Sequence, residues 1–299
     1  MLHLPQLDGV GPSRVAVPRG HWPTALAFLT ARFPAIAAQE WTDRFARGLV
    51  LDAQGQALHA QDPCPHGQRL YYYRSLPAEA TLHEFEHILF EDDHLLVADK
   101  PHFMPVTPVG RYLHNSLLVR LKQQTQCADL TPIHRIDRET AGLVAFCKRA
   151  QDRDAYHALF RQRQVHKRYE AVAPCRDDLV FPLVQRCRLV PDALFFRSQV
   201  VAGEPNSETQ IELLQQHNSL GLYALQPLNG RRHQLRLHML SLGIPILGDQ
   251  FYPEVLRAPE DADDVNQPLQ LLAKELAFKD PVTGHQRHWT SQRRLQQAW

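Results

Sequence analysis

The segment from His134 to Leu143 constrains this chain most, because it places one carboxylate among fixed cations directly before an apolar stretch. Asp137 stands between Arg135 and Arg138. An opposite charge within hydrogen-bonding reach lowers the pKa of an Asp by about 1–3 units. We therefore expect Asp137 to be ionised and able to act as a nucleophile or a base. The alternative is a structural ion pair at the end of a strand.

The total charge gives no attraction to a polyanion, since 33 Lys and Arg residues stand against 32 Asp and Glu residues, a formal charge of +1. Affinity for a nucleic acid must then come from local clusters. An acidic group at residues 260–264 is predicted to form a separate loop. A basic helix alone is typical of a solvated surface, but beside a candidate catalytic Asp it indicates a binding groove. The basic residues concerned are Lys148, Arg149, Arg153, Arg161, Arg163, Lys167, Arg168, Arg231, Arg232 and Arg236.

Apolar runs and alternating patterns predict an α+β domain with a mixed, mainly antiparallel sheet. Long strands connected by hairpins, with a few helices between them, favour this class over a doubly wound sheet. We predict helices at residues 116–124 and 154–163, and strands at residues 88–90, 95–98, 142–147, 168–173, 209–213 and 220–225.

Four ordered segments carry a specific resemblance. Residues 134–142 are followed by the run 167–171, which reads Lys-Arg-Tyr-Glu-Ala, and by the run 229–238, which reads Asn-Gly-Arg-Arg-His-Gln-Leu-Arg-Leu-His. The segment 90–101 ends in Asp-Lys-Pro. Together they resemble the signatures of the RluA family of pseudouridine synthases over residues 85–290. That resemblance implies a central bent sheet crossed by a cleft, and an enzyme that isomerises a specific uridine in rRNA or tRNA.

The resemblance also implies roles for individual residues. Asp137 matches the catalytic aspartate, Tyr169 the tyrosine that stacks on the base, and Arg231 the arginine that pairs with the aspartate. Arg135 matches the side chain that fills the gap left by the flipped base. Further contacts to substrate are expected from His134, His233, Gln234, Arg236, Lys167 and Arg168, with structural roles as the alternative for the first four.

Five positions depart from the family pattern. The changes at Ile136, Ala141 and Lys274 are conservative or peripheral, and the two departures that could alter the site are Arg232 and Asp99. Arg232 stands where the family has a small hydroxyl residue, and Asp99 stands where it usually has Asn. If either had spoiled the site, the chain would be an inactive RNA-binding or ribosome-assembly factor on the same fold. A glycoside or nucleoside hydrolase is a weaker alternative, because no second carboxylate except Glu139 lies near Asp137 in the sequence.

The first 80 residues are predicted to form a smaller domain, with residues 81–299 as the catalytic domain. Helices at 25–33 and around 41–46 precede a hairpin, and residues 75–80 are the predicted linker. This order, with Arg32, Arg44 and Arg47, resembles a degenerate version of the small RNA-binding module found before many pseudouridine synthase domains. A capping domain without RNA contacts is the alternative.

Pseudouridine formation involves no redox change and no energy source, so no cofactor and no metal are expected. The five cysteines suggest neither a disulfide scaffold nor a zinc site. The sequence begins without a signal-like segment, and no apolar run approaches the roughly 18 residues of a membrane span. We expect a cytoplasmic monomer whose partner is RNA.

Overall fold

The computed structural model describes residues 4–75 and 79–299. The chain divides into two compact units, Met1–Glu79 and Ala80–Trp299. The linker predicted at residues 75–80 lies largely outside the described residues, which omit 76–78. No helix in the described ranges is long and apolar enough to cross a membrane.

The N-terminal unit packs two helices against a small antiparallel sheet. Thr24 begins the first helix by accepting a hydrogen bond from the Ala27 amide at 3.1 Å. The core includes Phe28, Leu29 and Trp41, all fully buried. The elements are β1 (Ser13–Ala16), α1 (Ala25–Arg32), α2 (Ala38–Ala46), β2 (Val50–Leu51) and β3 (Arg69–Tyr72), with strand order β1-β3-β2.

Arg44 of this unit is not available for the RNA contact that the sequence suggested. It was counted among the basic positions of an RNA-binding module, but it is buried, pairs with Glu40 and stacks on Trp41. Arg32 and Arg47 remain exposed. The RNA-binding role of the unit stays a prediction that now rests on fewer cations.

The C-terminal unit is built on one large sheet with three helices, which confirms the predicted α+β class. Its elements in chain order are β4 (His87–Glu91), β5 (Leu95–Lys100), α3 (Leu117–Thr125), β6 (Thr131–Pro132), β7 (Ala141–Cys147), α4 (Arg153–Arg161), β8 (His166–Pro174), β9 (Leu183–Pro191), β10 (Ser198–Val201), β11 (Ser207–His217), β12 (Leu220–Pro227), α5 (Gln234–Ser241), β13 (Leu271–Lys279) and β14 (Gln286–Thr290).

The strand order is β10-β9-β11-β12-β8-β13-β7-β5-β4, with β14 added beside β13 and β6 beside β7. Among the pairs described, only β13 with β7 is parallel. This pairing brings the start of β7, just after Asp137, next to β13 and one strand away from β8. The predicted sheet, mixed and mainly antiparallel, is confirmed.

Gly142 permits the close approach of β7 to β13. Its φ of +111° lies in a backbone region that residues with a side chain rarely adopt. A Cβ atom there would also lie 2.3 Å from the Ala273 carbonyl oxygen. A larger residue would push β7 away from β13. The glycine of the 134–143 segment therefore fixes where the Asp137 loop enters the sheet.

Candidate active site

Asp137 lies on the short loop between β6 and β7, inside a cleft of about 1130 Å³. The Thr140 amide donates a hydrogen bond to the Asp137 carbonyl at 3.2 Å, which closes the loop into a turn. About 28% of the Asp137 side chain is accessible. The carboxylate is thus held by a turn yet open to a molecule that enters the cleft.

Arg236, rather than Arg231, is the arginine beside Asp137. Its Nη1 atom lies 3.9 Å from Oδ2 of Asp137. Arg231 extends elsewhere and donates from Nε to the Asn206 carbonyl at 3.4 Å. The sequence assignment of Arg231 as the partner of Asp137 is therefore wrong. The helix α5 explains this difference. Arg236 lies in its first turn and faces the interior, whereas Arg231 lies before the helix and is exposed.

A second carboxylate fixes the Arg236 guanidinium. Asp249 accepts from Nε of Arg236 at 2.8 Å and also from Nη2, and the same carboxylate accepts from the Phe251 amide. Such a two-point pair between guanidinium and carboxylate is strong and directional. It leaves Nη1 pointing toward Asp137 and, at 3.7 Å, Glu139. Arg236 thus presents a positive charge whose orientation does not depend on Asp137.

The pKa of Asp137 moves in the direction opposite to the one expected from its sequence neighbours. Burial in the cleft raises it above the usual Asp value, and this outweighs the opposing effects of Arg236 and Arg232. The nearby Asp249 raises it further. Desolvation disfavours the charged form of a carboxylate. The expectation from the sequence failed because it left out burial, which is the largest effect, and because Arg138 turns away from Asp137 to other partners.

Arg138 instead joins the acidic loop that was predicted to be separate. Its Nη1 atom donates to Asp263 at 2.6 Å and to the Tyr112 hydroxyl at 3.1 Å, while its Nε atom donates to Glu139. Arg111 also pairs with Asp263. The loop after Asp137 is therefore tied to the acidic segment around residue 263, a contact that no local pattern could reveal.

Tyr169 lies on β8 and lines the same cleft. It is opposite Leu225 of β12 and Ala273 of β13 in the sheet. Burial, and secondarily the charge of Asp137, raises its pKa well above that of a free phenol. Tyr169 is therefore a neutral aromatic at neutral pH, placed close enough to Asp137 to feel its charge.

Lys100 and His102 hold the Asp137 loop through its carbonyls, although neither was among the predicted site residues. The Nζ atom of the fully buried Lys100 donates to the carbonyls of Pro101, Met104 and, at 3.1 Å, Arg138. Nδ1 of His102 lies 2.6 Å from the Glu139 carbonyl. Lys100 and His102 thus hold the carbonyls of Arg138 and Glu139, the two residues that follow Asp137. The Asp-Lys-Pro run was the signal available in the sequence.

Three of the residues predicted to contact substrate are used inside the protein. Nε2 of His134 accepts from the Ala145 amide at 3.1 Å, and Nδ1 of His233 lies 2.8 Å from the Tyr252 hydroxyl. Burial lowers the pKa of each histidine to about 3. Gln234 donates to the Glu208 carbonyl at 2.9 Å. All three border the cleft, but their polar atoms hold its walls together.

Lys167 and Arg168, adjacent in sequence, point to opposite sides of β8. Lys167 lines the cleft, where burial lowers its pKa to about 8, and Nζ donates to the Asn229 carbonyl at 3.0 Å. Arg168 does not line the cleft and pairs with Glu275 at 2.6 Å. The prediction that Arg168 contacts substrate is corrected, since side chains alternate along a strand.

Asp99, one of the two departures that could alter the site, lies outside the cleft. It accepts from the Ser291 hydroxyl at 2.8 Å and the Gln292 amide at 2.8 Å, and so anchors the segment after β14. It does not disturb Asp137. Arg232, the other departure, does line the cleft and is exposed.

The cleft carries a surplus of positive charge. Five of the cations that line it form no ion pair with any carboxylate within residues 4–75 and 79–299. Arg135 and Arg163 are exposed among them. Unpaired cations on a concave surface attract an anionic ligand. The five are Arg135, Arg163, Lys167, Arg231 and Arg232.

Comparison with known proteins agrees with this geometry. Residues 94–241 match the RNA pseudouridylate synthase family. The chain is 33% identical over 212 residues to the dual-specificity RNA pseudouridine synthase RluA of Vibrio cholerae, covering 68% of this chain and 79% of that protein. The chain belongs to the RluA family of pseudouridine synthases.

A longer relative and a solved structure extend the comparison. The chain is 34% identical over 176 residues to human pseudouridylate synthase RPUSD2, covering 58% of this chain. It spans 32% of that human protein, about a third of its length. The structure of human RNA pseudouridylate synthase domain containing 1 covers 72% of this chain and 86% of its own, with a TM-score of 0.58 and 20% identity. That structure supports the fold of this RluA-family chain.

Proposed function

We propose that the protein isomerises a specific uridine in rRNA or tRNA to pseudouridine, with Asp137 as the catalytic carboxylate and with the target nucleotide flipped out of its stack. The observation that carries this proposal is the cluster of Asp137, Arg236 and Tyr169 inside one cationic cleft. Membership of the RluA family supports the reaction type. The rest of the proposal follows from the chemistry that these residues can perform.

The isomerisation requires that the bond between N1 of uracil and C1′ of ribose breaks and that a bond between C5 and C1′ forms. The C5 proton leaves and N1 gains a proton, so atoms and electrons balance without an oxidant or a reductant. Asp137 either attacks the sugar carbon or removes a sugar proton. Both routes need an oxygen with a free lone pair in the cleft, which the accessible part of its side chain supplies.

Arg236 and Tyr169 have complementary tasks in this reaction. Arg236 stabilises the ionised form of Asp137, because its positive charge acts against the burial that favours the protonated acid. Tyr169 offers an aromatic face on which the detached uracil stacks while it turns. A neutral phenol suits this stacking, and its hydroxyl could also serve when the proton leaves C5, since Tyr169 lines the cleft.

An RNA substrate fits this cleft, because its walls carry cations without carboxylate partners that can bind phosphates. Arg135 is exposed at the cleft and two residues from Asp137, so its flat guanidinium can stack where the flipped base has left. Lys167, Arg163 and Arg231 would contact phosphates. Enzymes that act on a base inside RNA pay unstacking energy to extrude it, and such contacts offset that cost.

The test is release of tritium from RNA labelled at C5 of uridine. The wild-type protein should release label to water from rRNA or tRNA transcripts, and Asp137→Asn should abolish release while retaining RNA binding. Asp177→Asn, which changes an exposed acid outside the cleft, is the matched control and should release label normally. Unimpaired function of Asp137→Asn in a complementation assay would instead favour a non-catalytic RNA-binding or ribosome-assembly factor.

The identity of the modified uridine is addressed by mapping pseudouridine in cellular RNA with and without the gene. One or a few sites should disappear in its absence. Deleting residues 1–79 in the same experiment tests the N-terminal unit as an RNA-binding module. Loss of the modified sites, with the C-terminal unit still folded, is the result expected if that unit recruits RNA.

A further inference from the structure

Phe195 is displayed in solvent at the turn between β9 and β10. About 82% of it is exposed. Its neighbour Phe196 packs on Phe251, with ring centroids 5.2 Å apart, and so anchors the turn to the core. Phe195 therefore presents its ring to solvent beside a residue that is fixed in the core.

The turn is held rigidly, so the exposure of Phe195 does not come from a loose loop. The Arg197 amide donates to the Leu194 carbonyl at 2.8 Å, and the Asp192 amide donates to the Arg197 carbonyl at 3.2 Å. The Arg197 guanidinium stacks 4.7 Å from the Tyr252 ring centroid. A fixed aromatic loses little conformational freedom when a flat ligand stacks on it.

Arg232 connects this turn to the catalytic cleft. Its Nη1 atom donates to the Phe195 carbonyl at 2.6 Å. Arg231 and Arg232 line the large cleft and also a smaller cavity of about 190 Å³, whose other walls are residues 189–191 and Ser198. The same two arginines therefore face both the Asp137 site and the base of the β9–β10 turn.

The charge at this place favours an anionic occupant. Neither Arg231 nor Arg232 forms an ion pair with any carboxylate in the described part of the chain. The family pattern has a small hydroxyl residue at position 232, so the second guanidinium is a feature of this chain. Cations beside a stacking ring are the combination that binds single-stranded nucleic acid.

We propose that Phe195, Arg231 and Arg232 form a second nucleotide subsite, which takes an unpaired nucleotide of the same RNA that places its target uridine at Asp137. The base of this nucleotide stacks on Phe195. Its phosphate is bound by Arg231, while Arg232 fixes the turn and adds charge. The inference rests on the proposed function and adds a determinant of which RNA is chosen.

The test compares Phe195→Ala and Phe195→Trp with the wild-type enzyme on a short stem-loop substrate that the enzyme modifies. Loss of one base–aromatic stack corresponds to about 5- to 150-fold weaker binding. We expect Phe195→Ala to raise KM and the Kd for RNA within that range, more than it lowers kcat, and Phe195→Trp to retain wild-type values. Phe85→Ala, which removes an exposed aromatic elsewhere, is the control and should change neither constant.

A series of substrates with one abasic residue each then locates the stacked nucleotide. At one position, the abasic residue should weaken RNA binding by the wild-type enzyme. The same residue should not weaken binding by Phe195→Ala any further. If Phe195→Ala binds and turns over RNA like the wild type, the subsite is refuted while the proposed function stands. If the wild type releases no tritium, the proposed function fails, and the Kd values for Phe195→Ala still decide the subsite.

Discussion

The Nη1 atom of Arg236 lies 3.9 Å from Oδ2 of Asp137, too far for a hydrogen bond. This nitrogen is buried and has no hydrogen-bond acceptor among the described residues. The other two guanidinium nitrogens, Nε and Nη2, both donate hydrogen bonds to Asp249. Such gaps in a site without ligand often close when substrate binds. The pair is therefore poised to tighten when a nucleotide fills the cleft.

Arg236→Lys should lower kcat by at least about 10²-fold, an effect comparable to the loss of one preorganised donor at a reacting centre. A lysine cannot bind Asp249 at two points and reach Asp137 at the same time. The measurement is kcat and KM from tritium release, with circular dichroism to verify folding. Arg231→Lys is the matched comparison and should act mainly on KM. Equal losses of kcat in the two variants would contradict the assignment of Arg236.

Asp137→Asn should make the folded protein more stable at neutral pH although it abolishes activity. The folded state raises the pKa of Asp137, so the folded chain binds this proton more tightly than the unfolded chain does. The favourable contribution is then present at low pH and is lost as pH rises through the folded pKa, which lies above about 3.9. A neutral amide avoids this loss.

Urea unfolding of the wild type and Asp137→Asn at pH 4 and pH 7 measures this effect. The stability advantage of the variant should be larger at pH 7 than at pH 4, because the folded state raises the pKa of Asp137. Asp177→Asn serves as the control for the change of one charge. An advantage that shrinks between pH 4 and pH 7 would show that Arg236 dominates over burial.

The sequence predicted much of the sheet because its strands are locally apolar. The strand Ala141–Cys147 is buried at every position, and the apolar composition of residues 142–147 predicts a buried strand there. In contrast, α5 was not predicted, since residues 234–239 are all buried and include polar side chains at three positions. A helix buried on all sides has no amphipathic stripe to detect. Arg231 was assigned as the partner of Asp137 from the family resemblance, and no local pattern shows that Arg236 on this helix faces Asp137 instead.

Long-range electrostatics set another limit. Arg138 and Asp263 are 125 positions apart in the sequence, yet their pairing removes the cation expected to lower the pKa of Asp137. Lys100 likewise acts through the Arg138 carbonyl 38 positions away. Local patterns predict which residue types gather in a segment. They do not predict which charges meet across the fold.

Lys100→Met should weaken the folded state and lower kcat, because three carbonyls lose their donor. The variant should also change the pH dependence of stability. Burial lowers the pKa of Lys100 to about 7, so between pH 7 and about 10.4 the unfolded chain binds more protons than the folded chain. The stability contributed by Lys100 therefore rises across this window and is lost as pH falls through 7.

Chemical unfolding at pH 7 and pH 9.5 measures this dependence. The wild type should gain at least about 1 kcal/mol relative to Lys100→Met between the two values. Lys279→Met, at an exposed position at the end of β13, is the control and should show no such gain. A pH-independent difference between wild type and Lys100→Met would mean that Lys100 keeps an ordinary pKa.

Arg163→Gln should weaken RNA binding in a way that depends on salt. Arg163 is exposed, lines the cleft and forms no ion pair with the described carboxylates, so its removal takes away one cation available to phosphate. Each phosphate contact contributes about 0.7–0.9 to the slope of log affinity against log salt concentration. The slope should fall by up to that amount, with little change in kcat. Arg186→Gln removes an exposed arginine that pairs with Glu208 outside the cleft, and its slope should equal that of the wild type. Identical slopes for both variants would place the RNA away from Arg163.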